Sequence, residues 1–225
     1  MKKITEKNNI SSINIDTLST NNILQIINDE DSTISDVIKS VIPDITKLVN
    51  DIVRSFNSGN KLYYLGCGSS GRLGVLDAVE CPPTFSTNHD MIRGIIAGGD
   101  SAMFKSVERA EDSESESIKI INQNLLPNDM LICISASGTP TYITTALKTA
   151  KKNNVKTCLI TCNDIKNKIS SDHLIKLLVG PEIISGSTRM KAGTATKMVL
   201  NMISTSAMIK IHKAMKEQNL KYSEI

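Results

Sequence analysis

The sequence predicts an α/β fold: a three-layer αβα sandwich with a mainly parallel, five-stranded sheet. Three observations carry this. Short apolar runs of strand length alternate with stretches whose apolar residues recur every three or four positions, a pattern that calls for right-handed crossovers and a sheet covered on both faces. Two of the runs end in Gly/Ser-rich turns that lead straight into helical patterns. The chain has 225 residues, 40% hydrophobic and 22% charged, which is ordinary globular composition with length enough to bury a core without staples.

Residues 1–31 are polar and Asn-rich, and read as an extended arm with a short helix near Thr20–Ile27. From Ser32 the apolar residues Ile34, Val37, Ile38, Val41, Ile42, Ile45, Leu48, Val49, Ile52, Val53 and Phe56 recur at the three-and-four spacing of an amphipathic helix. Pro43 falls inside it, so a kink or two helices are expected, ending near Ser58-Gly59. The first strand is expected over 61–65, followed by a helix to Val79 that stops at Pro82-Pro83. The second strand is expected over 91–97, then helices over 101–110 and 115–125. Strands over 130–134, 155–161 and 174–179, a helix over 141–153 and a long helix over about 191–213 complete the pattern.

Composition excludes several functions. Aromatics are limited to 4 Tyr and 3 Phe with no Trp, too few for base stacking, and a net charge of +3 is no nucleic-acid footprint. No apolar run approaches the ~18 residues of a membrane span, and Met1-Lys2-Lys3 continues into Thr5-Glu6-Lys7-Asn8-Asn9 without the apolar stretch of a signal peptide. Five cysteines (67, 81, 133, 158, 162) cannot all pair within one chain, which points to free thiols in a reducing cytoplasm. None of the three histidines stands at metal-ligand spacing to a cysteine, so no metal is expected.

Four features carry candidate chemistry. Gly66-Cys67-Gly68-Ser69-Ser70-Gly71 sits where a strand meets a helix, and is either a tight βα turn with no ligand or a site whose glycines, hydroxyls and helix N-terminus suit a single phosphate. The spacing fits G-x-G-x-x-G, but the acidic residue of a dinucleotide site is missing from its context. Ser135-Ala136-Ser137-Gly138-Thr139 repeats the arrangement after another strand, and open parallel sheets bind ligands at the carboxyl ends of their strands. The stretch from Gly180-Pro181-Glu182 to Ser187-Thr188-Arg189-Met190-Lys191 enters the final helix. Ser187 and Thr188 there serve either as helix caps or as ligands, and Lys191 sits unfavourably in the first turn unless an anion joins it. Glu80 and Glu111 lie at the ends of expected helices, where carboxylates are ordinarily surface charges.

Taken together these segments closely resemble the N-acetylmuramic acid 6-phosphate etherases of the sugar-isomerase (SIS) domain superfamily. The resemblance spans about residues 5–213 and is carried by Ile27–Asp31, Gly66–Gly74, Glu80-Cys81-Pro82-Pro83-Thr84, Ala110-Glu111-Asp112 and Gly180-Pro181-Glu182 through Gly193-Thr194-Ala195. Glucokinase regulatory proteins share a related form of the last stretch. The resemblance implies cleavage of a D-lactyl ether by elimination and hydration, with no metal or organic cofactor, in a cytoplasmic homodimer. It implies Glu80 as general acid toward the lactyl oxygen and Glu111 as base. It also implies a 6-phosphate held by Ser69, Ser70, Ser135, Ser137 and Thr139, with Ser187, Thr188 and Lys191 closing the pocket. Such chemistry needs two carboxyl groups in opposite protonation states.

The resemblance divides the chain into an arm and helix (1–43) that packs on a partner subunit, an SIS domain (44–213) and a short tail (214–225) in place of the family's C-terminal helical segment. At 139–141 the sequence departs from the family's Ala-Ser-Gly-Arg-Thr-Pro: an arginine is absent and the proline stands one place early. Those departures leave a non-catalytic phosphosugar sensor or regulator as a rival, and an aldose–ketose phosphosugar isomerase, which also removes a C2 proton, is a second, against which the two carboxylates at the etherase positions favour elimination.

Overall fold

The computed structural model describes residues 3–165 and 169–217. The expected tail falls partly in the final helix and, from 218 onward, outside the described residues. After three short 3-10 turns the chain forms α1 (Thr20–Ser32) and α2 (Ile34–Asn57), then β1 (Leu62–Gly66), α3 (Gly68–Phe85), β2 (Ile92–Ile96), α4 (Glu114–Asn124), β3 (Met130–Ile134), α5 (Thr141–Lys152), β4 (Lys156–Thr161), β5 (His173–Lys176) and α6 (Lys191–Glu217).

The five strands form one sheet in the order β2-β1-β3-β4-β5, all neighbours parallel. Alternation along β1 feeds two cores. Leu62 and Tyr64 face the layer of α2, α3 and α6, whereas Tyr63 and Leu65 face the layer of α4 and α5. Winding runs outward from β1 to β2, then reverses through β3, β4 and β5, so the topological switch lies between β1 and β3. A ligand crevice belongs at the carboxyl ends of those two strands.

α2 is continuous through Pro43. The proline lies on the exposed side, and the face of Ile34, Ile38, Val41, Ile45, Leu48, Val49, Ile52 and Phe56 is buried on both sides of it. Each such side chain contributes roughly 1.5–3 kcal/mol on burial, which outweighs one missing helical hydrogen bond. The division expected at 43/44 therefore falls inside a single helix whose buried face joins the main core.

Two expected elements differ. The helix expected over 101–110 is only a 3-10 turn, Asp100–Met103, followed by loop. Ala102 is the one buried residue of that stretch, and Phe104 is 91% exposed, so a helix there would have no face to bury. Nor does α3 stop before the prolines: it runs to Phe85 with Pro82 and Pro83 in its last turns, which places Glu80 within the helix. Proline's φ is already helical, and prolines near a helix end forfeit only a few backbone bonds.

Candidate active site

The first turn owes its shape to close backbone approach. A Cβ on Gly66 would lie 2.6 Å from the Gly71 nitrogen, and one on Gly71 would lie 2.6 Å from the Gly66 oxygen. Gly68 opens α3 at φ +51, conformational ground that L side chains rarely adopt. Among the described residues no side chain caps α3, and none caps α5, which follows the second turn. Two uncapped helix N-termini thus stand side by side at the switch point, each offering N–H groups and the positive end of its dipole to an anion.

The hydroxyls divide into free and committed. Those of Ser69 and Ser70 make no hydrogen bond to other described residues. Buried Ser135 accepts the Gly138 N–H at 3.0 Å and so shapes its own turn. The Ser137 and Thr139 hydroxyls are 3.2 Å apart, and Lys3 Nζ donates to Thr139 Oγ1 at 2.9 Å.

Lys3 belongs to an arm that straps the crevice. Asn163 Nδ2 donates to Thr5 Oγ1 and to the Ala136 carbonyl, each at 2.9 Å, and the Gly186 N–H donates to the Thr5 carbonyl at 3.0 Å. Asn9 Nδ2 reaches the Pro181 carbonyl at 3.1 Å. Thr5 and Asn9 are both buried. The arm ties together the loops after β3, after β4 and before α6. Only its polar composition was legible beforehand, because these partners lie at least 136 residues away in sequence.

The third loop uses its residues otherwise than expected. Glu182, fully buried, accepts the N–H groups of Lys191 at 3.0 Å and Ala192 at 2.9 Å, so it caps α6 in place of Ser187 or Thr188. Burial raises the Glu182 carboxyl above its ordinary value, opposed by those two N–H groups and by Lys191. Lys191 is 3% exposed and its ammonium pairs with Glu30 of α1. It is therefore neither a solvated lysine nor turned to a crevice ligand in this structure. Burial pulls the Glu30 carboxyl upward, but hydrogen bonds from Lys191, Asn9 and Ser11 prevail and hold it below its ordinary value. Ser187 and Thr188 are half-buried and their hydroxyls lack partners among the described residues.

The two glutamates occupy separate places in one chain. Glu111 follows Arg109, which turns the chain at φ 59, and lines a cavity of about 290 Å³ together with Cys67, Gly68, Arg72 and Ala97. Arg72 fixes the wall opposite by donating to the carbonyls of Met103 at 3.0 Å and Lys105 at 3.4 Å. Cys67 is pushed up to about 12, by burial first and then by Glu111, so its thiol stays protonated and packs there. Glu80 stands twelve residues along α3 from Gly68, about 18 Å at the helical rise. It lines a different cavity, about 230 Å³, with Leu73, Leu76, Asp77, Lys197, Leu200 and Asn201.

Sheet order and the helices on both faces define an SIS-type domain. Residues 44–151 match the family model of the glucokinase regulatory protein N-terminal SIS domain. The fold is shared with a phosphoheptose isomerase from Francisella tularensis (TM-score 0.63, 16% identity, covering 86% of this chain and 100% of that one). It is also shared with the Vibrio vulnificus NanR protein complexed with ManNAc-6P (TM-score 0.56, 13% identity, 93% and 72%).

Sequence relatives are closer. N-acetylmuramic acid 6-phosphate etherase 1 of Bacillus licheniformis is 49% identical over 212 residues, 93% of this chain and 69% of that protein. The N-acetylmuramic acid 6-phosphate etherase of Klebsiella aerogenes is 44% identical over 214 residues, 94% and 71%. The chain belongs to the N-acetylmuramic acid 6-phosphate etherase family.

Proposed function

We propose that the chain cleaves the D-lactyl ether of N-acetylmuramic acid 6-phosphate with water, giving N-acetylglucosamine 6-phosphate and D-lactate, in cytoplasmic recycling of cell-wall amino sugars. Beyond family membership, one observation supports the reading most: the N-terminus of α3, with no side-chain cap among the described residues, opens at Cys67 and Gly68 into the cavity that Glu111 lines.

The 6-phosphate sits at the N-termini of α3 and α5, held by Ser69, Ser70, Ser135, Ser137 and Thr139, while Ser187 and Thr188 line the rim. Lys3 supplies a cation at the position where the family's arginine is missing. Anchoring the charged end orients proton transfers several atoms away. In the open-chain sugar the C1 aldehyde acidifies the C2 proton, which Glu111 removes. The C3–oxygen bond breaks as Glu80 protonates the departing lactyl oxygen. Water then adds at C3, delivering its hydroxyl there with Glu111 as base, and a proton returns to C2.

Because Glu80 lies about 18 Å along α3 from the phosphate turn, we assign it to the neighbouring site of a homodimer. The second copy's α3 would bring it across. Leu76 at 45% and Val79 at 57% exposure give this helix apolar surface for such a contact.

Subunit mixing tests both parts. Glu80→Gln and Glu111→Gln each abolish D-lactate release. Refolding them together in equal amounts restores about a quarter of wild-type activity, because half the dimers are mixed and each has one intact site. Release of D-lactate by either variant alone at the wild-type rate refutes the two-carboxylate mechanism, and a silent mixture refutes the shared site. Binding of the sugar phosphate by wild-type protein without turnover would instead mark a sensor.

A further inference from the structure

The cavity beside Glu80, about 230 Å³, lies between α3 and α6. Leu73, Asp77 and Glu80 follow one face of α3, and Lys197, Leu200 and Asn201 follow the facing side of α6. Its floor is locked: Asn201 Nδ2 donates to Asp77 Oδ1 at 2.8 Å and Ser204 Oγ donates to the same oxygen at 3.1 Å. Asp77 itself is 5% exposed. Lys197 is the cation of the lining, exposed, and without an ion pair or hydrogen bond to other described residues. The leucines supply an apolar wall next to it.

The chemistry of the ether says what belongs there. The group that protonates the lactyl oxygen must come within hydrogen-bond reach of it. That oxygen is bonded to the carbon that also carries the lactyl methyl and carboxylate. Both substituents therefore lie within a few ångströms of the acid, wherever the sugar ring points. A carboxylate taken out of water into this cavity needs a cation, and the methyl needs apolar cover. The cavity holds one of each.

We propose that this cavity is the subsite for the D-lactyl group, with Lys197 pairing with the lactyl carboxylate and Leu73, Leu76 and Leu200 covering the methyl. The inference rests on the etherase reading and extends it: Lys197 becomes the residue that distinguishes a lactyl ether from a phosphosugar without one. It also gives the leaving anion a counter-ion as the C3–oxygen bond breaks.

The test pairs a residue change with a substrate change. Wild-type protein and Lys197→Met are assayed for turnover of N-acetylmuramic acid 6-phosphate and of the analogue whose lactyl carboxylate is a primary amide. For the acid substrate, kcat/KM falls about 10- to 100-fold in the variant, the range of a charge-assisted hydrogen bond. For the amide, the two proteins are equal, and Lys197→Arg recovers much of the preference for the acid. Inhibition by N-acetylglucosamine 6-phosphate is unchanged in Lys197→Met, because the phosphate end is untouched. Wild-type protein that handles acid and amide alike overturns the subsite without any variant being needed. So does a variant that loses both substrates equally. Wild-type protein that cleaves neither ether removes the etherase reading, and the subsite with it.

Discussion

Replacing Glu182 by alanine leaves two buried donors unanswered at once. The carboxylate accepts the Lys191 and Ala192 N–H groups at 3.0 and 2.9 Å, at the positive end of a 27-residue helix. An unsatisfied buried donor costs about 1–3 kcal/mol, and a lost N-cap about 0.5–2 kcal/mol. Removing a buried carboxylate also relieves its desolvation, which is the larger influence on Glu182 and offsets part of the loss. The expected net is about 3 kcal/mol, a substantial part of a total stability of about 5–15 kcal/mol. At about 2–4 °C per kcal/mol for a chain of this size, the melting midpoint drops ~6–12 °C. Circular dichroism at 222 nm follows it directly. Glu182→Gln keeps one acceptor oxygen and loses about half as much. An alanine variant that melts within ~2 °C of wild type would show that the amides find water, and that Glu182 does not hold α6 in place.

The pairing of Glu30 with Lys191 makes the arm sensitive to acid. A carboxyl held below its ordinary value contributes stability that is present above that value and lost as pH falls through the folded one, so limited proteolysis within 1–31 should accelerate below about pH 4.5, and Glu30→Gln should abolish the pH dependence. Gly71→Ala forces a Cβ to 2.6 Å from the Gly66 oxygen and 2.7 Å from Ile96 Cγ1. It should cost about 1–3 kcal/mol in urea unfolding and weaken inhibition by sugar phosphates. Lys3→Ala removes the ammonium that donates to Thr139. KM should rise by about tenfold with kcat little changed, and an unchanged KM would place the phosphate elsewhere.

Much of this protein was legible without coordinates, because the deciding physics is local. Apolar residues two apart or three to four apart select strand or helix, and their alternation selects a parallel sheet. The Gly66–Gly71 stretch reads as a tight strand-to-helix turn because its neighbours in sequence are its neighbours in space. Where prediction failed, a local pattern lacked what the fold supplies or demands. The 101–110 segment had helical spacing but no layer to bury against, and the prolines in α3 did not end it.

What only the tertiary structure decided are the long-range pairings. Lys191 meets Glu30, 161 residues earlier, and Lys3 meets Thr139, 136 residues later. Glu182 takes over a cap that nearer hydroxyls were better placed to provide. The same holds for the two glutamates: resemblance names them both, but helix length and the packing of α3 on α6 decide that one chain keeps them apart. Sequence periodicity sets which way a side chain faces. Which distant partner it meets follows from the packing of layers, and no local pattern records that.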